Sequence, residues 1–188
     1  MKKTIYIWTF VSLLAACSST EPKNTNHESE GNLSHSKSIG CETLTKISSK
    51  NNPVDIFSGL YQCIEAGNYS TAAELYFVGM SYGYFDTERV SDNTAHQAIS
   101  VLRMNTFGAL APKQVEAFQA ALNSIKTEEI CTSLQKIGPP SYQPTYMIQH
   151  GMGAFMGQSS NGGIVNGFDS DSAWQKSLST IAQCKIGS

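Results

Sequence analysis

The sequence predicts an all-α fold of helical hairpins, irregular and repeat-like in packing, stapled by two disulfides. Three observations carry this. Apolar residues recur at three- and four-residue spacing through most of Gly40 to Gly138, and no part of that stretch alternates strictly as a strand would. Turn and stop signals bound the periodic runs, at Pro53, Gly67, Pro112 and Gly138-Pro139-Pro140. Four cysteines fall within or beyond these runs, Cys41, Cys63, Cys131 and Cys184, an even count that reads as two disulfides in an exported chain.

Export is read from the first residues. Lys2 and Lys3 precede a mostly apolar run from Ile5 to Ala16, which closes on Leu14-Ala15-Ala16-Cys17. Charged start, apolar middle and small-small-cysteine end together resemble the lipobox of bacterial lipoproteins. The resemblance implies that residues 1–16 are a signal peptide cut before Cys17, and that Cys17 carries lipid, palmitate included, on its sulfur and amine. Each buried methylene contributes roughly 0.8 kcal/mol, so several acyl chains anchor firmly. Ser18 rather than Asp follows the cysteine, which in such lipoproteins implies sorting to the outer membrane, facing the periplasm. The apolar run itself is too short, and too interrupted by Thr9 and Ser12, to be a permanent span.

Residues 17–39 are polar, with Leu33 and Ile39 the only sizeable apolar side chains. Such a segment buries too little surface to offset ordering entropy, so it reads as a flexible tether with a reach on the order of 25 Å. His27 and His35 within it read as solvated side chains.

Residues 40–188 read as one helical domain. Cys41, Leu44 and Ile47 share a helical face that Asn51-Asn52-Pro53 stops. A second helix spans Val54 to Ala66, with Ile56, Leu60, Cys63 and Ile64 inward and Pro53 in its first turn. In an antiparallel hairpin Cys41 and Cys63 would face each other, which favours pairing 41–63 and leaves 131–184, although sequence alone permits three connectivities. After the Gly67-Asn68-Tyr69 turn, a helix capped by Ser70 or Thr71 runs to about Gly83, which fits a C-cap. The next run, Thr94 to Phe107, is capped by Asp92 or Asn93. Pro112 opens another with Val115, Phe118, Ala121, Leu122 and Ile125 on one stripe, and a further helix after Thr127 turns Ile130, Cys131, Leu134 and Ile137 inward. Met147 to Met156 reads as a weak helix, residues 157–167 as a mobile glycine-rich loop, and Ser170 or Asp171 caps a last helix through Cys184.

Gly67 to Tyr76 resembles the turn and second helix of a tetratricopeptide repeat, with Ala72 and Gly79 at the small contact positions and Tyr76 at the aromatic one. The first helix departs from that pattern at Ile56, Gly59-Leu60 and Cys63, and no second copy follows.

Candidate chemistry is sparse. His96 follows Asp92 by four residues, so a carboxylate could orient an imidazole for general-base work, but no nucleophile accompanies the pair and capping is the commonest role for an Asp before a helix. His150-Gly151-Met152-Gly153 would let backbone approach a ligand or a second helix closely. Asp169-Ser170-Asp171 lacks the rest of a calcium loop. No cysteine or histidine spacing indicates a metal, no phosphate-cradling loop indicates a cofactor, and a net charge of -2 gives no sign of nucleic acid. Tyr82, Tyr84, Phe85, Tyr142 and Tyr146 would form a partner-binding surface if exposed, and core staples if turned inward. The expected function is therefore a tethered module that binds another protein, in one form an immunity protein neutralising a toxic effector delivered to the periplasm. An envelope-assembly scaffold, or an envelope hydrolase using His96 or His150, are the alternatives.

Overall fold

Asn52 fixes where the first helix begins. Its side chain accepts from the Asp55 amide at 3.0 Å, and the Asp55 carboxylate accepts from the Asn52 amide at 3.1 Å, a reciprocal cap with Pro53 in the first turn. A computed structural model describes residues 29–157 and 160–185. Among them eight helices form: α1 (Pro53–Glu65), α2 (Tyr69–Arg89), α3 (Gln97–Phe107), α4 (Pro112–Ser124), α5 (Thr127–Ile137), α6 (Thr145–Ile148), α7 (Met152–Phe155) and α8 (Ser170–Ile181). Extended pairing among the described residues is limited to one antiparallel bridge, Val90 to Ile164. The all-α class expected from the spacing is the class observed.

The long helix α2 is the axis. At about 1.5 Å per residue its 21 residues span about 32 Å. Its N-terminal half packs on α1 and α4. Gly79 lets α1 approach, since a Cβ there would sit 3.1 Å from the Phe57 ring, and Tyr76 meets the Phe57, Phe107 and Phe118 rings at centroid distances of 6.4, 6.0 and 5.9 Å. Its C-terminal half packs on α8, where Trp174 meets Tyr82 at 5.7 Å and Phe85 at 6.2 Å. Ile56, Leu60, Leu75, Val78, Leu134 and Leu178 are buried between these layers, each contributing about 1.5–3 kcal/mol by leaving water.

Both expected disulfides form, Cys41–Cys63 and Cys131–Cys184. The helix invoked to pair the first one does not. Residues 41–47 contain only a 3-10 turn, Leu44–Lys46, because so short a run cannot repay helix nucleation and Asn51 captures the Ser48 amide instead.

Four further expectations change. Helix α2 does not end at Gly83 but continues to Arg89, and Gly83 is the point where Ile99 of α3 presses against it. Helix α3 begins at Gln97, because Asp92 caps a tight turn through Thr94 first. The weak helix splits into α6 and α7 at His150 and Gly151. The described part of the glycine-rich stretch is tied down rather than loose: Ser91 donates its amide to Gly163 O and Val165 donates to Arg89 O, both at 2.9 Å.

The tether boundary also moves. Residues 1–28, on which the expected signal segment and the lipidation of Cys17 fall, lie outside the described residues, but residues 29–39 pack on the domain. Leu33 donates to Tyr146 O at 3.1 Å, the Asn52 side chain donates to Ser34 O, and the amides of Ser36 and Lys37 and the Ser36 hydroxyl all bond Asp55. The buried carboxylate of a helix cap thus recruits a strap that composition alone assigned to solvent.

The Cys131–Cys184 link closes a 53-residue separation. In the chain-entropy account, replacing both cysteines by serine lowers stability by about 4 kcal/mol. Urea unfolding followed by circular dichroism measures this, and an unchanged midpoint would contradict it.

Candidate functional site

The last turn of α2 buries a carboxylate. Asp86 is fully enclosed, and four polar contacts converge on it. Tyr142 and Tyr146 each donate a hydroxyl to Oδ2 at 2.7 Å, and Arg89 donates Nε to Oδ1 at 2.7 Å. Arg89 Nη2 lies 2.6 Å from Oδ1 without hydrogen-bond alignment, so charge alone holds that nitrogen. The guanidinium also lies over the Phe85 and Tyr142 rings, 5.1 Å from each centroid. Burial pushes the Asp86 carboxyl above its ordinary value, while Arg89 and the two hydroxyls pull it back. Burial, then the Asp86 charge, holds both phenols well above theirs.

This node carries the segment that follows α5. Tyr82 donates its hydroxyl to Gly138 O at 3.0 Å where the segment starts. Further along, Asp92 Oδ2 accepts from the Gly153 amide at 2.7 Å, and Thr94 Oγ1 accepts from the Met152 amide at 2.8 Å. A side chain at Gly151 would collide with the Asp92 carboxylate and with Ala95. The Asp92 carboxyl lies below its ordinary value because Thr94 and backbone amides bond its charged form. Ile148 fills the space beneath Gly163.

On the outside of this platform stand Met152 (52% exposed), Phe155 (58%), Met156 (55%) and Val165 (39%). Residues 137–168 contain no Asp, Glu, Lys or Arg, so all 13 basic and 15 acidic residues lie elsewhere. Single exposed apolar residues are ordinary, but a group on an uncharged segment suggests contact with something apolar. The opposite end of α2 carries a second open surface. Leu110, Pro112, Val115, Glu116, Gln119, Ala120 and Asn123 line a depression of about 570 Å³ along α4. Gln114 of α4 donates to Glu65, at the end of α1 next to the start of α2, which places this surface at the far end.

No family model, curated sequence or solved structure matches this chain.

Of the two alternatives for the aromatic residues, the geometry lies closer to core staples than to an open surface. Tyr82, Phe85 and Tyr146 are buried, and Tyr142 is partly exposed with its hydroxyl turned onto Asp86. Tyr84 is half-buried under Lys176, whose Nζ lies 5.8 Å from its ring. Tyr142 and Tyr146 staple the segment to α2 by donating to Asp86, and Tyr82 adds a bond to Gly138 O. The possible Asp92–His96 pair is not assembled: Asp92 serves Thr94 and Gly153, and His96 Nε2 meets Val90 O at 2.9 Å. His150 Nδ1 meets Asn32 Oδ1 at 2.9 Å. Asp169 caps α8 through the Ser172 amide. No group of three metal-ligating residues occurs among the described residues. Sequence reasoning missed the Met152–Phe155–Met156 face, although the uncharged run from 137 to 168 marks it.

Two outcomes follow for the node. Asp86→Ala leaves Arg89 charged and buried without a counter-ion, which costs about 3–5 kcal/mol, against roughly 1.5–3 kcal/mol for Tyr146→Phe; chemical denaturation measures both. The phenols of Tyr142 and Tyr146 are raised in the folded state, so their contribution is complete below the unfolded value of 10.0 and is lost as pH rises above it. Phenolate absorbance should show these tyrosines ionising together with unfolding, and their free titration in folded protein would contradict the geometry.

Proposed function

We propose that this protein is a periplasm-facing lipoprotein of the outer membrane, anchored through Cys17, that acts as a protein-binding module. The observation that supports it is the outward face of α4. Phe118 is the one residue of α4 that is buried, so the helix is attached by a narrow stripe. Its other side presents Pro112, Val115 and Ala120 for apolar contact beside Gln119 and Asn123 for hydrogen bonding. A mixed apolar and amide surface of this kind suits a protein partner. The commitment of Asp92 and His96 to backbone contacts also favours binding over histidine catalysis. Size, anchor and export together suggest an immunity protein that neutralises a toxic effector delivered to the periplasm.

A photo-crosslinking residue at Val115 or Gln119, introduced into the full chain in cells exposed to the effector, should yield one adduct of defined mass. Ala120→Glu should abolish it by placing an unpaired charge in the contact, a loss of about 2 kcal/mol. Failure to form any adduct from either position would contradict the reading.

A further inference from the structure

We propose that Met152, Phe155, Met156 and Val165 form a membrane-docking face that rests on the bilayer carrying the lipid anchor. The inference rests on the reading of Cys17 as lipidated, and adds where the domain sits once anchored.

Three observations carry it. First, the four apolar side chains stand on a segment free of carboxylates, ammonium groups and guanidinium groups from residue 137 to 168, and the carboxylate packed against it, Asp92, already accepts from the Gly153 and Thr94 amides and the Thr94 hydroxyl, so little unpaired charge would be brought to the headgroup boundary. Second, the backbone beneath the face is bonded to the rest of the domain. Asp92 and Thr94 fix the α7 backbone, and the Val165 amide is bonded to Arg89 O, so ordering costs little on contact.

Third, the chain leading from Cys17 enters the domain beside this face. Asn32 meets His150 at the start of α7, Gly31 lies against Thr145 and Gln149, and Leu33 is bonded to Tyr146 O. Eleven residues separate Cys17 from Ser29. Even fully extended, a chain of that length spans at most about 40 Å. A lipid anchor on Cys17 would therefore keep this side of the domain within that distance of the lipid surface, where contact is an intramolecular event and even weak apolar contact is favoured. The α4 surface then points away from the bilayer, since it sits at the other end of the α2 axis.

The test uses the full lipidated chain reconstituted in protein-free vesicles of phosphatidylethanolamine and phosphatidylglycerol. Co-flotation with the vesicles is measured first. Phe155→Trp and, as control, Val115→Trp are then compared with and without lipids brominated on the acyl chains; both positions are exposed, and buried Trp174 gives a constant background. The expected result is co-flotation, with a blue shift and loss of emission for Phe155→Trp and no change for Val115→Trp. Absence of flotation would remove the anchor reading and this inference with it. Flotation with an unquenched Phe155→Trp would overturn the docking face alone. A shift of Phe155→Trp seen only in native envelope membranes would assign the face to a protein, and a concentration-dependent shift without vesicles would assign it to a second copy.

Discussion

A carboxylate taken out of water at the end of a long helix needs donors, and the architecture around Asp86 follows from supplying them. Arg89, one turn later, provides charge, and Tyr142 and Tyr146 provide hydroxyls from 56 and 60 residues downstream. Removing either kind of partner leaves a buried group unsatisfied, so the contacts hold or fail together. Because the tyrosines flank the start of α6, their bonds bring the uncharged segment back across α2. The same turn supplies the backbone acceptor Arg89 O and the bridge at Val90, which hold Val165 and Ile164.

Asp55 plays a parallel part at the other structural seam. It closes the cap of α1 and, from the same carboxylate, binds the strap at Ser36 and Lys37. The strap then runs to α6, so the N-terminal chain and the uncharged segment meet. Two buried acids on neighbouring helices thereby determine where chain from both ends of the sequence is laid. The resulting molecule has two unlike ends along α2: an apolar one built on the uncharged segment next to the incoming chain, and a mixed surface on α4. The proposed tethered module would use that division, with one side toward its anchor and one free for a partner.

Local chemistry made the helices legible. Pro53 and Pro112 open α1 and α4, Gly138 with Pro139 ends α5, and the inward stripes of α1 and α5 follow the apolar spacing. The disulfide pairing was also readable, although the hairpin that suggested it contains only a 3-10 turn on one side; proximity to α1 sufficed. What escaped depends on distant partners. Gly83 looks like a helix end until Ile99 is seen to occupy the space it leaves. Residues 29–39 look like solvent-exposed chain because Asp55, their partner, is identified by no local signal. The aromatic run looked like a surface because its polar partner, Asp86, sits among the rings and gives no clue that distant hydroxyls must turn inward. The exposed face was hidden by its own composition, since glycines and serines suggest a loose loop while the missing charges go unnoticed.

Asp86 holds the uncharged segment directly and the Leu33 end of the strap only through Tyr146, whose hydroxyl it accepts and whose carbonyl takes the Leu33 amide, while Asp55 holds the rest of the strap. Native-state hydrogen exchange of the Leu33, Gly153 and Val165 amides, compared between the natural protein and Asp86→Asn, tests it directly. The account predicts that all three amides exchange faster by a common factor in the variant, while the Ala72 amide at the far end of α2 is unchanged under conditions where exchange is local. Independent exchange of the three, or no change in any of them, would contradict it.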